Sequence, residues 1–402
     1  MSDDPRTTLA LPLAGIRVLD FGRYIAGPYC AAILAEYGAE VIRVEKRGGS
    51  EDRFTWPLAE GCDGGAQFLQ VNRNKLSMTL DPMAERGREI VRKLVATADV
   101  VLANVPPRTL AAMRLDIDSL RAVKPEIILV LGTAYGGRGP YRERVGFDSV
   151  GQVMSGAAYL SGTPDQPARS QAPWVDFATA AHLACGTLLA LRVRDRTGKG
   201  QVVEGALLGT ALTVNDAMLV EQAVLAKDRL PTLNRGQISA PVDLFRTRDG
   251  WITCQVVSQP LFRRWAKLMG EEGWLADPRF HDDAARGDHR DLVCDRMSRW
   301  CRERTNQQAI DELGEAMIPA APVLRPQEAL EHPAVRGMGL FHDVDYPGLP
   351  RPAPVARVPL WLSETPGREA RPPTVGEHTD RILAELGYSA RQIAELRRDQ
   401  VI

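Results

Sequence analysis

Apolar and polar positions follow two rhythms along the first half of the chain. Short apolar runs rich in β-branched residues, "IRVLDF", "EVIRVE", "DVVLAN" and "EIILVLG", are separated by stretches with helical spacing, one starting at about Pro28 and one near 83–96. Strand, helix, strand at this interval predicts an α/β fold, a parallel sheet with crossover helices. A helical apolar pattern then runs on from Asp176 to "RVRDRTGKG", where Gly198 and Gly200 supply stop and turn residues. "QVVEGALLGTALTVNDAMLVEQAVLA" reads as a short strand and another long helix, which closes a large domain over 1–225.

The rhythm breaks at 226–238, where "KDRLPTLNRGQ" is polar with Pro and Gly and reads as a linker. Residues 239–325 read as a smaller α+β domain: two short strands in "APVDLFRTRDGWITCQVV", joined by a turn at Asp249 and Gly250, then helices to about Leu313. Prolines recur from Pro319 on, which predicts an extended connection rather than a packed element. The tail "HTDRILAELGYSARQIAELRRDQVI" predicts two short amphipathic helices with Gly387 and Ser389 between them.

Composition narrows the function. At 402 residues, 44% hydrophobic, 25% charged and a net charge of -1, the chain has the balance of a multidomain globular protein, with no electrostatic footprint for nucleic acid or membrane. The start "MSDDPRTTLALPLAG" lacks a targeting pattern, and no run reaches the roughly 18 uninterrupted apolar residues of a membrane span, so a cytoplasmic location is expected. Six cysteines lack C-x-x-C spacing, and His281, His289, His332, His342 and His378 lack metal-ligand spacing, so neither a metal site nor a disulfide framework is indicated. Serine-hydrolase and P-loop motifs are absent.

Asp176 is the one charged side chain of "QAPWVDFATAAHLACGTLLAL". A carboxylate among apolar neighbours must be paired, used as a cap, or used in chemistry. Two compatible readings are open: Asp176 caps the helix that follows, and, staying ionised at the helix start, it is ready to act as a nucleophile. His182, six residues on, reads as a packing residue. Gly22 and Gly27 give a spacing unlike the tight pyrophosphate turn of dinucleotide folds, with Glu45 where a ribose-binding acid would stand. The glycine-rich stretch with Arg138, Arg142 and Arg144 suits an anion, or is a solvated basic loop. Asp148 in the same stretch is a second acid, or the N-cap of "SVGQVMSG".

These pieces share an order and wording that resemble the class III CoA-transferase family (formyl-CoA transferase and carnitine CoA-transferase-like). They are "LAGIRVLDFGRYIAGPYCAAILAEYGAEVIRVEKRGGSEDR", "NRNKLSMTLD", "ADVVLANVPP", "GRGPYRERVGFDSVGQVMSG", "VDFATAAHLACGTLLALRVRDRTGKGQVVEGALL", "RTRDGWITCQV", "LADPRF" and "GEHTDRILAELGYS", running from near residue 13 to the C-terminus. The resemblance implies an interlocked, ring-like homodimer, each chain with a Rossmann-like large domain built from both termini, so that 326–402 returns to complete it. It implies transfer of coenzyme A from an acyl-CoA to a small carboxylic acid, with CoA thioesters as substrates and no permanently bound cofactor, ATP or metal.

In the family the nucleophile is an aspartate at a helix start, which matches Asp176; Asp148 is expected beside it as a second catalytic acid. Its attack on the thioester gives a mixed anhydride and then an aspartyl-CoA thioester, with glycine-containing loops supplying N–H groups to the oxyanion. Tyr24, Ala26, Lys46, Lys75 and Asn104 match positions on the CoA side. Ala112 stands where some members have a CoA-binding arginine, with Arg108 or Arg114 near, and Val145 stands where some have a lysine, with Arg144 adjacent. Ile25 replaces a glutamine of some members. The related α-methylacyl-CoA racemases carry a histidine where this chain has Phe147, and a phenyl ring cannot move a proton. Acyl transfer is therefore expected over racemisation, with a non-catalytic CoA-binding protein as a further alternative.

Overall fold

The computed structural model describes residues 10–402. Contacts divide them into two units, one of residues 10–155, 170–214 and 338–402, the other of 156–169 and 215–337. The second unit is wider than the 239–325 read from the sequence.

The first unit is built on a six-stranded parallel sheet of β1 (Arg17–Asp20), β2 (Glu40–Glu45), β3 (Lys75–Thr79), β4 (Val100–Ala103), β5 (Ile128–Thr133) and β6 (Val202–Ala206), in the order β3-β2-β1-β4-β5-β6. Alternate side chains along each strand point to opposite faces. Leu19, Ile42, Val101 and Leu129 therefore pack with Ile90 and Leu94 of the Glu85–Thr97 helix and with Ile382 and Leu396 of the two C-terminal helices. Their neighbours Val18, Val41, Leu102 and Val130 pack on Ala31 and Leu34 of α1 (Ala26–Glu36) and on Leu183 and Ala184 of the long helix Trp174–Thr197. That long helix is apolar enough to cross a membrane by length and composition, yet half of its most apolar window is buried in the protein. It ends at Gly198 in the left-handed conformation, as its sequence predicts.

Three expectations change. β3 has no counterpart in the sequence reading, because Lys75, Ser77 and Thr79 alternate with Leu76 and Met78 and mask the apolar run. The expected second long helix breaks at Asn215 into Leu207–Val214 and Asp216–Leu225, where the chain passes from one unit to the other. The proline-rich return is partly packed: β10 (Phe341–Val344) and β11 (Ala353–Ala356) pair antiparallel, and Val344, Tyr346 and Val355 bury against Phe68 and Leu69. Earlier in the return, Pro326 and Pro333 open short helices, where a missing N–H is harmless.

The second unit holds an antiparallel sheet of β7 (Val242–Arg246), β8 (Trp251–Gln255) and β9 (Ala320–Pro322). The turn falls at Asp249 and Gly250 as expected, and Phe262, Trp265, Phe280 and Trp300 form the centre of its core.

Candidate active site

The strand order reverses between β1 and β4, so the loops leaving these strands part and open a crevice at their carboxyl ends. A cavity of about 220 Å³ lies there. Arg23, Tyr24 and Ala26 enter it after β1, Asn104 after β4, Thr133 at the end of β5, and Arg142, Arg144 and Phe147 from the following loop, with Asp176 also on its wall.

The wall after β1 is set by close packing. The Gly22 N–H donates to Asp20 Oδ1 at 2.7 Å, and a β-carbon at Gly22 would stand 2.7 Å from that oxygen. Gly27 lies against Leu102 and Asn104. Gly22 is thus needed by the turn, and Gly27 by the close approach of α1 to Leu102 and Asn104. Tyr24 takes a left-handed backbone (φ 63°), and its N–H donates to Asp52 Oδ2 at 3.1 Å. Asn104 clamps the residue before it: Oδ1 accepts from the Arg23 N–H and Nδ2 donates to the Arg23 carbonyl, both at 2.7 Å. Glu45 is no ribose ligand here, because Arg53 holds both its oxygens at 2.7 Å, and against the penalty of burial this pairing keeps its carboxyl at about 2.

Neither sequence reading of the acids as caps of their own helices survives. Asp176 is the third residue of the long helix, after Pro173 at the N-cap, and the backbone N–H that acts on its carboxylate is that of Asp148, outside its own helix. The cap comes from Asp148, whose Oδ2 accepts from the N–H groups of Val175 at 2.8 Å and Asp176 at 3.1 Å. Asp148 itself opens the Asp148–Met154 helix, where Phe147 is the N-cap, and its Oδ1 accepts from Gln152 Nε2. An acceptor 28 residues distant thus occupies the donors that a helix start offers to an acid. Asp176 is left buried and beside a second carboxylate, and burial first, then the charge of Asp148, push its pKa up to about 7. The expectation that it stays fully ionised at the helix start is therefore corrected.

Tyr24, Ala26, Asn104 and Arg144 line the same cavity as Asp176, with Asp148 directly behind it. Arg144 stacks over Tyr141 at 3.8 Å, and Phe147 meets Tyr24 edge-on at 5.1 Å. Three proposed CoA-side residues are not on this wall. Lys46 is exposed and paired with Glu51. Arg108 is exposed in the first turn of the Pro107–Ala112 helix. Lys75 is buried, with its ammonium donating to Asp20 Oδ2 (2.7 Å), the Pro28 carbonyl (2.7 Å) and Asn72 Oδ1 (2.8 Å). In the glycine-containing loop after β5 two N–H groups are also engaged, Gly136 N–H by Thr133 Oγ1 and Gly137 N–H by Glu204. The sequence reading missed Arg23; its one signal is its place just past β1, at the reversal of strand order.

A sequence model described as CoA-transferase family III matches residues 13–379. The chain is 33% identical to the succinyl-CoA–L-malate CoA-transferase beta subunit of Chloroflexus aurantiacus, over 98% of this chain and 99% of that one. It is 32% identical to the succinate–glutarate CoA-transferase of Agrobacterium fabrum, over 93% and 96% of the two chains. The crystal structure of a CAIB/BAIF family protein from Brucella suis matches it with a TM-score of 0.81 at 30% identity, covering 94% of this chain and 100% of that one.

Proposed function

The chain belongs to CoA-transferase family III and is an enzyme of the CoA-transferase type, and on that premise we propose that it moves coenzyme A between short acids through covalent intermediates on Asp176. The observation that carries this reading is a carboxylate with a pKa of about 7 on the wall of a cavity at the sheet's topological reversal. Such a carboxylate is poorly stabilised by its surroundings, so it is a better nucleophile than a solvated one, and it is still substantially ionised at neutral pH.

An Asp176 oxygen adds to the thioester carbonyl, and the C–S bond breaks to give an aspartyl-acyl anhydride and CoA thiolate. The thiolate adds to the aspartyl carbonyl, releasing the donor acid as its carboxylate and leaving an aspartyl-CoA thioester. An incoming carboxylate then runs both steps in reverse and leaves as the new acyl-CoA. Thioester free energy is retained, so no ATP is consumed, and water must be kept from the anhydride. Asp148 acts as a positioning residue, fixing the helix start and keeping its N–H groups from quenching Asp176.

Asn keeps the shape of Asp but cannot form the anhydride. Asp176→Asn is expected to fold and bind acyl-CoA while losing turnover by roughly three orders of magnitude or more. Wild-type enzyme given donor acyl-CoA should gain a CoA-sized mass on the peptide holding Asp176, and hydroxylamine should release the CoA as free thiol and leave an aspartyl hydroxamate. An active Asp176→Asn enzyme ends this reading. Loss of configuration in an α-methylacyl-CoA without any exchange would replace it with racemisation.

A homodimer with interlocked chains belongs to the same proposal. Leu188, Leu189 and Val193 on the long helix, and Leu360 and Trp361, are exposed apolar residues in a single chain, which favours a covering partner. Sedimentation at nanomolar concentration should still find a dimer; a folded monomer would refute it. The free cysteines, four of them buried, suit the reducing cytoplasm, and a fractionated cell lysate tests that placement, with recovery outside the cytosol counting against it.

A further inference from the structure

We propose that Arg23 is the receptor for a second carboxylate, which makes the enzyme selective for dicarboxylic acids as both donor acyl group and acceptor. The inference rests on Asp176 as the point of acyl attachment. Among the described residues the Arg23 guanidinium makes three hydrogen bonds, all from Nη1 and all to neutral backbone carbonyls: Phe21 at 3.1 Å, Gly22 at 2.8 Å and Val44 at 3.3 Å. No carboxylate among the described residues pairs with it. The acids that act on it from farther away are already engaged, Asp52 by Arg43 at 2.8 Å, Asp20 by Lys75 at 2.7 Å and Glu45 by Arg53 at 2.7 Å. Burial, and then the charge of Arg43, press on its cationic form.

Arg23 is half-buried, and a guanidinium partly withdrawn from water without an opposite charge in contact is less favourable than one that a ligand's anion pairs. Arg23 is also held in place, because Asn104 grips its backbone on both sides and the next N–H is bound by Asp52. It lines the same cavity of about 220 Å³ as Asp176. That cavity holds a short acid. The thioester carbonyl must reach Asp176, so the CoA phosphates, a whole pantetheine arm away, fall outside a space of this size. Among the described residues Asp176 is the one acid lining the cavity, and Arg142 and Arg144 add further positive charge from the loop.

The reaction sequence sharpens the argument. Donor acid and acceptor acid occupy the same place in turn, each joined to Asp176 through one carboxyl. A second carboxylate on Arg23 stays charged throughout and takes no part in bond making. Its planar fork would orient either acid by paired, charge-assisted hydrogen bonds.

The test measures binding in the Asp176→Asn background, which separates recognition from turnover, with succinyl-CoA, butyryl-CoA and the methyl ester of succinyl-CoA as probes. Succinyl-CoA is expected to bind roughly ten- to a hundredfold more tightly than the other two, the range for hydrogen bonds to a charged group. Adding Arg23→Gln should collapse that ratio, and Arg23→Lys should recover part of it. Equal binding of the three probes with Arg23 intact overturns the proposal, a comparison that needs no Arg23 variant to fold. So does a ratio that vanishes in Arg142→Gln/Arg144→Gln, or an Arg23→Gln protein that loses free CoA as strongly as succinyl-CoA, which would make Arg23 a phosphate receptor. If wild type transfers CoA between no pair of acids while the preference stands, the catalytic reading of Asp176 fails and the role of Arg23 does not.

Discussion

Beneath β2 and β3, buried charges meet their opposites: Arg53 holds both oxygens of Glu45, Arg43 both oxygens of Asp52, and Lys75 one oxygen of Asp20. A few residues away, on the cavity wall, Asp176 meets another acid and Arg23 meets only carbonyls. Both regions take charge out of water, which is unfavourable in each. In the first, pairing within the chain offsets the cost, and the groups are locked: Glu45 sits at about 2, far from any physiological titration. In the second, compensation is withheld, and what is missing is supplied by whatever binds or reacts there. Pairing that is complete makes structure, and pairing that is incomplete makes a site.

Removing one partner from the paired region should have the largest effect on stability. Lys75→Ala leaves Asp20 buried without its cation and is expected to lower the unfolding free energy by about 3–5 kcal/mol, read from denaturant titration. If stability instead holds within about 1 kcal/mol and acyl-CoA affinity falls, Lys75 touches ligand and the comparison breaks.

On the cavity side the sign reverses, because removing charge should stabilise. The folded pKa of Asp176, about 7, lies above the unfolded value of ~3.9, so the native state binds the extra proton between them and stability falls as pH rises through that window. Asp176→Asn escapes that loss. It should be no more stable than wild type near pH 4 and more stable at pH 8, by as much as ~4 kcal/mol, in paired thermal scans. A variant less stable at pH 8 would mean that the carboxylate is held by its surroundings after all.

The smallest effect falls on the acid pair itself. Wild-type kcat/KM should rise with pH to a plateau, its midpoint near 7, as Asp176 loses its proton. Asp148→Asn removes the neighbouring charge while its side-chain oxygen still accepts from Val175, so the helix keeps its cap. The midpoint should move below 7 with the fold intact. An unmoved midpoint would assign the raised pKa to burial alone.

Much of the sheet was legible because β1, β2, β4 and β5 are buried on both faces and read as apolar runs, whereas β3, with a polar residue at every second position, was not. Asp176 stood out for the same reason, one charge in an apolar segment. Its partner could not be found that way: Asp148 lies 28 residues upstream, and only the fold brings its oxygen to the start of the long helix. Lys75 failed in the opposite direction, since a lysine beside polar residues looks like a ligand contact until three internal acceptors are seen around it. Arg23 carried only its place just past β1, because the lack of a paired acid is a property of what the fold places around a residue.

The reversal of strand order between β1 and β4 has a consequence for how such a protein can change over time. Arg23, Arg142, Arg144 and Phe147 lie on loops beyond the strand ends, while the ion pairs that hold the sheet start from Asp20, Glu45 and Lys75 within the strands. Mutation can therefore redraw the preference for one acid over another at positions where the core has little at stake. A lineage built on this frame can explore new substrates by single neutral steps, without first acquiring spare stability.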